Sequence, residues 1–285
     1  MNIRQLVKAH VRRRILSEIT LQRVSEAKIE DISDVCYVGG STHQLATCKI
    51  GEDKYYLKFS DSWAFANPID KSMQIGVEYL AYKIYQLYPA NVPPGIEVVS
   101  DYKQKRIGIA TYEMKGQSAG DLRYSFPAKD WVSSISGGAM VDIFLANWDV
   151  NNTHNFVVDT DTSIASRIDP GGALTFRAQG ARKGDMFSAQ AGEIKSMMDP
   201  NMGGSGWLLS QVDIQQAAEA FLSVSWPQVR QAIITAFADV SSALENAGLE
   251  EQIVAWKDEV KQIMTKLETR HADVGDHCEY ALSQM

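Results

Sequence analysis

The sequence predicts an α+β protein of two parts, in which a small antiparallel sheet carrying one helix precedes a mainly helical part. Apolar and polar side chains alternate through residues 35–59, between turn residues, and again through 92–114, a pattern typical of strands. Between these stretches, residues 69–88 carry apolar side chains at helical spacing, which predicts one amphipathic helix. Beyond residue 115 the helical pattern dominates.

Composition and charge narrow the class of protein. The chain has 285 residues, of which 45% are hydrophobic and 22% charged, so it is long enough for two lobes or one large domain. Its net charge of -7 argues against a generally basic surface, and we expect no nucleic-acid partner. The three cysteines have neither CxxC nor Cys/His ligand spacing, which argues against a disulfide scaffold or a zinc site and fits a reducing compartment.

The distribution of apolar residues bears on localisation. No apolar run reaches the roughly 18 residues that span a bilayer, and the N-terminus lacks the apolar core of a signal peptide. We therefore expect a cytoplasmic protein without a membrane span. Export as an effector into another cell by a specialised system would leave no signal of this kind.

The N-terminal part can be predicted element by element. A short basic helix over Asn2–Leu16 and a strand near 29–35 come first. The following strands break at GGST and are joined by a hairpin turn at Gly51-Glu52-Asp53. The helix of 69–88 stops before Pro89, and the segments VPPGIEVVSD and KRIGIATYEM supply two more strands.

A Gly/Ser-containing connector, KGQSAGDL, marks the predicted domain boundary, with an N-terminal lobe over 1–115 and a C-terminal lobe over 116–285. Pro227 suits the first turn of a helix and Gly248 the cap that ends it. The final helix carries an apolar stripe that predicts core packing rather than a partner site. The elements expected in this lobe are a helix near 131–147, strands at 156–159 and 163–169, and helices at 211–223, 226–246 and 249–270.

The stretch VDIFLANWDVNNTHNFVVD holds more polar residues between two apolar runs than a surface turn requires. Further on, Asp169 ends an apolar strand and is followed by Pro-Gly-Gly, which predicts a sharp turn. A strand–turn–strand from Phe156 to Ile168 would fold back and place Asp169 beside Asn155. An amide oxygen and a carboxylate side by side are hard ligands suited to Mg²⁺, which also keeps waters and substrate phosphates. Asp149 is then a candidate base facing the same cavity.

The N-terminal sheet offers groups that would hold a nucleotide. The glycines of VGGST let backbone N–H groups approach phosphate oxygens. Lys58 lies in the apolar strand YYLKF and needs an anionic partner, for which Glu78 on the helix is the natural candidate. The segment TYEM ends the last strand before the connector, where an adenine-binding hinge would lie.

Taken in order along residues 36–180, these features resemble the protein-kinase-like fold. The order is Gly-rich turn, strand lysine, helix glutamate, hinge, loop aspartate with asparagine, and strand-end aspartate. The catalytic loop reads NWDVNNTHN rather than HRDLxxxN, and DPG stands where DFG would. The chain looks closer to divergent bacterial and phosphoinositide-kinase-like branches, including the HipA-type kinases. The resemblance implies a bilobal protein that uses ATP and Mg²⁺.

The resemblance also implies a role for individual residues. Asp149 matches the catalytic aspartate, and Lys58 matches the lysine that contacts the α- and β-phosphates, with Glu78 as its ion-pair partner. Asn155 and Asp169 match the two metal ligands. Asp149 and Asn155 lie six residues apart, against five in the commoner loop, so Asn151 or Asn152 is an alternative for some of this work. The implied nucleotide-binding residues are Gly39, Gly40 and Ser41 in the glycine loop and Glu113 and Met114 in the hinge.

The segment TFRAQGARKGDMF follows Asp169, where a substrate-binding segment would lie. Its Arg177, Arg182 and Lys183 place local positive charge in an acidic protein. Two interpretations stay open at this point: a solvated basic loop, or a docking site for an anionic substrate or a phosphate.

The predicted function is ATP:Mg²⁺-dependent phosphoryl transfer, with a protein Ser/Thr hydroxyl as acceptor. A small-molecule or lipid hydroxyl as acceptor, transfer of AMP instead of phosphate, and a pseudokinase that binds nucleotide without turnover are alternatives. The joint presence of Lys58, Asp149, Asn155 and Asp169 speaks against the pseudokinase, because a module without turnover has no physical need for all four.

Overall fold

The computed structural model describes residues 36–38, 45–50, 53–60, 67–122, 125–177, 179–199, 201 and 208–285. The predicted helix Asn2–Leu16, the strand near 29–35 and the glycine loop with Gly39, Gly40 and Ser41 lie outside these residues.

The first sheet consists of five antiparallel strands, arranged as β1-β2-β3-β5-β4. Strands β2 and β3 form the predicted hairpin, in which Ile50 pairs with Asp53. On its other side β3 pairs with β5, so that Lys58 lies opposite Ile109. The strands are β1 (Cys36–Val38), β2 (Leu45–Ile50), β3 (Asp53–Phe59), β4 (Ile96–Asp101) and β5 (Arg106–Tyr112).

Helix α1 (Pro68–Tyr85) is inserted between β3 and β4, as predicted. Asn67 caps it, because its side-chain oxygen accepts a hydrogen bond from the Ile69 N–H at 3.0 Å. The helix ends at Tyr85 rather than near 88, since residues 86–89 form a turn. Every residue from Ser72 to Tyr82 is buried. The helix is therefore enclosed on all sides, whereas an amphipathic helix would bury one face.

The connector predicted at 115–122 is not irregular, because it folds into β6 (Gln117–Ser118) and the short helix α2 (Ala119–Leu122). The helix predicted near 131–147 is a 3₁₀ helix, Val132–Gly138, followed by α3 (Ala139–Phe144). The sequence VSSISGG explains the difference, since serine and glycine are poor formers of α-helix. Beyond α3, β7 (Phe156–Asp159) and β8 (Ile164–Arg167) join β6 in a three-stranded sheet.

Helices dominate the remainder of the chain. Pro227 lies in the first turn of α6 and Gly248 adopts a positive φ of 68° just after its end, as the sequence predicts. The last helix continues well past the predicted end at residue 270. The helices are α4 (Glu193–Met197), α5 (Ile214–Leu222), α6 (Trp226–Asn246) and α7 (Ile253–Ser283). Together with the first sheet and α1, they confirm the predicted α+β architecture, in which a small antiparallel sheet with one helix precedes a mainly helical part.

The C-terminal helices explain why α1 is buried all round. Helix α6 packs against α1 and against β4, and α7 also contacts α1. At the α1–α7 contact Gly76 lets the helices approach closely, because a Cβ there would lie 3.0 Å from the Trp256 ring, a contact tighter than most. The helix that carries Glu78 is thus fixed between the sheet and the C-terminal helices. Within the described residues, every helix is too short or too polar to cross a bilayer.

A cluster of polar side chains lies where α6 meets α1 and β4. The Tyr79 hydroxyl donates to Asp239 at 2.7 Å, and the Lys83 ammonium lies 5.5 Å from the centre of the Tyr79 ring. Burial raises the pKa of Glu97 to about 7; nearby Lys83 opposes this shift, and Asp239 adds to it. The ionised form of Glu97, which predominates above neutral pH, therefore destabilises the folded protein.

We expect Glu97→Gln to raise the free energy of unfolding by about 1–3 kcal/mol at pH 8 and by less at pH 5. The folded-state pKa near 7 exceeds the ordinary value of 4.5, so the folded protein holds this proton more tightly than the unfolded chain. The stability gained in this way is complete below pH 4.5 and is lost as the pH rises through 7. Chemical denaturation at both pH values, beside the exposed control Glu245→Gln on α6, measures the effect. Equal gains at the two pH values would contradict it.

Candidate active site

The hairpin of β7 and β8 brings the two polar clusters of the sequence together. Phe156 pairs with Arg167, and the N–H of Ile168 donates to the carbonyl of Asn155 at 2.9 Å. Asp169 follows directly, so it leaves the hairpin beside Asn155. This is the fold-back that the sequence predicts from its strand–turn–strand pattern.

Asn155 also fixes Asp149. Its Nδ2 donates to Asp149 Oδ2 at 2.7 Å and to the Asp149 carbonyl at 3.1 Å. The amide oxygen Oδ1 of Asn155 and the carboxylate oxygen Oδ1 of Asp149 are not used by these bonds. Burial raises the pKa of Asp149, and the nearby Asp169 charge adds to the effect, although the bond from Asn155 opposes it. The carboxylate is held in one orientation, with one oxygen left to accept a proton.

Lys58 joins the sheet, helix α1 and the end of β8. Its Nζ lies 2.7 Å from Glu78 Oε2 and 2.6 Å from Asp169 Oδ1. Burial alone would lower the pKa of Lys58, but the two carboxylates outweigh it and raise the value. Burial raises the pKa of Glu78, and the Lys58 ammonium opposes that shift. We call these three side chains the Lys58 triad.

The turn after β8 aims Asp169 at the triad. Asp169 adopts a left-handed conformation with φ 52° and ψ 62°, and its N–H donates to the Tyr82 hydroxyl at 2.8 Å. A Cβ at Gly171 would lie 3.1 Å from both Asp169 Oδ1 and Glu78 Oε2, and 3.3 Å from Lys58 Nζ. The glycine in DPGG therefore leaves the space in which the triad assembles, a role beyond making a turn.

A buried ion pair lies beneath the site. Arg167 donates to both oxygens of Asp142 at 2.7–3.0 Å and to the Ile135 carbonyl at 2.7 Å. Tyr85 on α1 donates to Asp142 at 2.6 Å, and Asn147 donates to the Tyr85 hydroxyl at 3.0 Å. The network ties α1, α3, β8 and the catalytic loop together. Sequence reasoning missed it, although isolated charges inside the apolar runs VDIFL and SIASRI are a signal for such a pair.

Arg270 of α7 binds the chain just before the loop of residues 147–155. Its side chain is 0% exposed. It donates to the carbonyls of Ile143 and Phe144, at the end of α3, and to the carboxylate of Glu193. Glu193 in turn accepts from the Trp148 ring N–H at 3.1 Å. This arginine was not predicted either, because nothing in a helical stripe distinguishes it from a surface residue.

The predicted hinge residues lie at the end of β5. The Glu113 side chain is engaged with Lys54 at 2.5 Å and with the Tyr56 hydroxyl at 3.1 Å. The Glu113 N–H donates to the Lys54 carbonyl. The Glu113 side chain is therefore occupied by contacts within the first sheet.

The middle of the catalytic loop has local roles. Asn152 caps the turn before Asn155, since its side-chain oxygen accepts from the His154 N–H at 3.2 Å. His154 Nδ1 shares a 3.0 Å hydrogen bond with Ser118 Oγ. Asn151 is buried, and neither of its amide atoms has a partner among the described residues. The alternative metal role of Asn151 or Asn152 stays a prediction.

The basic segment of residues 175–187 exposes less unpaired positive charge than its sequence suggests. Arg182 forms ion pairs with Asp70 at 2.7 Å and with Glu259 at 2.8 Å, and Lys183 is 1% exposed. Within the described part of the chain, Arg177 is the cation of this segment that is exposed and has no carboxylate partner. Its guanidinium donates to Met186 Sδ at 3.3 Å. A three-cation docking surface is therefore not formed.

Asn155 and Asp169 fit the chemistry of Mg²⁺. The amide nitrogen of Asn155 is occupied by Asp149, which leaves the oxygen as the ligand atom, and the Asp169 side chain is 51% exposed. In the described ranges, no three or more His, Cys, Asp or Glu side chains form a metal cage. Such a pair of oxygen ligands suits an ion that takes its other ligands from phosphates and water.

Breaking the buried ion pair is expected to be costly. Asp142→Asn would leave the Arg167 charge uncompensated and lower the free energy of unfolding by about 3–5 kcal/mol. The same exchange at Asp161, which pairs with Lys115 at the exposed β7–β8 turn, would leave stability unchanged. Urea denaturation of both variants tests this, and similar midpoints for the two would contradict the importance given to Asp142.

Comparisons with known proteins show likeness in structure and none in sequence family. No protein-family model matches the chain, and no curated protein matches it either. Among solved structures, the chain is similar to the crystal structure of a Helicobacter pylori proinflammatory kinase, CtkA. The two are 12% identical, with a TM-score of 0.43, over 85% of this chain and 96% of that one.

Proposed function

We propose that the protein is an ATP:Mg²⁺-dependent phosphotransferase whose acceptor is a protein Ser or Thr hydroxyl. The observation that carries this is the Lys58 triad beside the Asp149–Asn155 pair. In this proposal one largely enclosed cation, one base and two oxygen ligands come from strand β3, the loop before β7 and the turn after β8. Phosphoryl transfer needs little more from a protein than these groups in position.

Lys58 is proposed to bind the nucleotide phosphates. Glu78 holds its ammonium from the α1 side, and Asp169 holds it from the β8 side. Phosphate oxygens are the natural further partners of a cation fixed in this way. Gly39, Gly40 and Ser41 of the glycine loop, with Glu113 and Met114 of the hinge, complete the proposed nucleotide site.

Asn155 Oδ1 and the Asp169 carboxylate are the proposed metal ligands. When bound, Mg²⁺ supplies charge neutralisation on the phosphates. Asp169 already lies against Lys58, so the proposed metal ligand and the proposed phosphate ligand are adjacent. The left-handed turn at Asp169 and the clearance at Gly171 maintain that adjacency.

Asp149 is proposed to accept the proton of the acceptor hydroxyl. Asn155 occupies its Oδ2, which leaves Oδ1 for the acceptor. Burial raises its pKa, which makes it a stronger base than an ordinary aspartate. Arg177, exposed and 5.7 Å from the centre of the Trp148 ring, lies close to this loop and is a candidate contact for the acceptor.

The alternatives share these residues and differ in what they transfer or accept. A small-molecule or lipid hydroxyl would use the same base, and AMP transfer would use the same cation and metal ligands on a reversed nucleotide. The division into lobes at 1–115 and 116–285 and the likeness to the HipA-type and phosphoinositide-kinase-like branches stay predictions.

Incubation with ATP labelled at the γ or the α position, alone and with a cell lysate, tests the proposal. Label from the γ position is expected on protein, and Asp169→Asn and Asp149→Asn should each reduce its rate about a hundredfold or more. The exposed Asp161→Asn should leave the rate unchanged. Label from the α position would instead support AMP transfer. A purified protein that transfers neither label would contradict the proposal.

A further inference from the structure

Lys183 is buried between the two loops that carry the proposed catalytic residues. Its side chain is 1% exposed, and its Nζ donates to the Ala146 carbonyl at 2.5 Å and to the Gly172 carbonyl at 2.7 Å. Its own N–H donates to the Thr175 carbonyl at 2.8 Å, which fixes the backbone from which the side chain extends.

The two carbonyls come from different segments of the chain, one before Asp149 and one after Asp169. Ala146 has a positive φ of 50° and lies between the end of α3 and Asp149. Gly172 ends the 3₁₀ turn that follows Asp169. One ammonium group therefore links the backbone leading to the proposed base with the backbone leading away from the proposed metal ligand.

Burying the Lys183 ammonium costs desolvation free energy that its contacts have to offset. Among the described residues Lys183 forms no ion pair with a carboxylate, although the charges of Glu193 and Asp149 favour its ammonium form. The Trp148 ring is centred 4.6 Å from its Nζ. Burial lowers the pKa of Lys183 to about 7. A methionine of similar length would fill the space without the desolvation cost. What a methionine cannot do is donate hydrogen bonds to both carbonyls.

We infer that Lys183 is a positioning residue for phosphoryl transfer, which sets the separation between Asp149 and Asp169 by binding the backbones of both loops. It touches neither nucleotide nor acceptor. This inference rests on the proposed function. It replaces the expectation that Lys183 contributes to a surface for anionic substrates.

The segment after Asp169 folds back on itself and so brings Lys183 to its two carbonyls. Phe176 and Arg182 form an isolated antiparallel β-bridge, and the Arg177 N–H donates to the Ala181 carbonyl. In this turn Arg182 points to ion pairs with Asp70 and Glu259, while Lys183 points inward. The return of the chain thus delivers a donor to the catalytic loops.

The test is a comparison of ATP turnover by Lys183→Met, Lys183→Ala and the exposed control Lys195→Met on α4. We expect kcat of Lys183→Met to fall about a hundredfold, the usual cost of a small misplacement of reacting groups. The KM for ATP should stay within about threefold of wild type, since the Lys58 triad is untouched. Lys195→Met should match wild type. Propylammonium should restore about tenfold of the activity of Lys183→Ala, and 1-propanol, which carries no charge, should not.

The outcomes separate the two proposals. If the wild-type protein turns over no ATP, the proposed function fails. If wild type is active and Lys183→Met keeps its kcat, or raises KM alone, the inference about Lys183 fails. If both Lys183 variants lose their cooperative thermal unfolding, Lys183 serves stability only, and the inference is likewise overturned.

Discussion

The Lys58 ammonium, held between the carboxylates of Glu78 and Asp169, is the interaction on which the arrangement of the molecule depends. It joins three elements that are distant in sequence: strand β3, helix α1 and the turn after β8. A lysine buried in a sheet is costly without anionic partners, and two carboxylates at 2.6–2.7 Å offset that cost. If α1 moved, Glu78 would leave the cation and the turn would lose one side of its anchor.

Much of the described structure serves to keep those elements in register. The C-terminal helices α6 and α7 cover the outer face of α1, with Trp256 against Gly76. The Asp142–Arg167 pair lies under the catalytic loop and reaches α1 through Tyr85. Helix α1 would otherwise expose one face to solvent, and these contacts bury it on all sides. We infer that the Lys58–Glu78 contact is a stable property of the folded chain.

The segment that leads into the loop of residues 147–155 is held through its backbone carbonyls. Arg270 binds carbonyls at the end of α3, and Lys183 binds the carbonyl of Ala146 and that of Gly172. Backbone carbonyls are positioned wherever the chain turns, so these cations specify loop geometry whatever the loop side chains are. Within this loop Asn152 has a local capping role, while Asp149 and Asn155 near its two ends are the residues proposed to act in transfer.

The sequence predicted the elements whose signal is local. Period-two strands, the helix before Pro89 and the cap at Gly248 follow from patterns within a few residues. The Lys58–Glu78 pair could be predicted because a lysine in an apolar strand requires a carboxylate partner. The roles of Arg182 and Lys183 depend on residues that are distant in sequence. Arg182 pairs with Asp70 and Glu259, and Lys183 donates to backbone carbonyls. A sequence pattern alone therefore favours an exposed basic surface for both. The 3₁₀ helix at 132–138 reflects weak helix formers in a tightly packed place.

Calorimetric titration of ATP with and without Mg²⁺ tests the central claim most directly, that the Lys58 triad and Asn155 form a metal–nucleotide site. Mg²⁺ should tighten ATP binding to the wild-type protein by about tenfold or more, equivalent to about 1.4 kcal/mol. Asp169→Asn should abolish that gain, and Lys58→Met should weaken binding whether or not Mg²⁺ is present. Failure of the wild-type protein to bind ATP under either condition, or an unchanged Mg²⁺ effect in Asp169→Asn, would contradict the account.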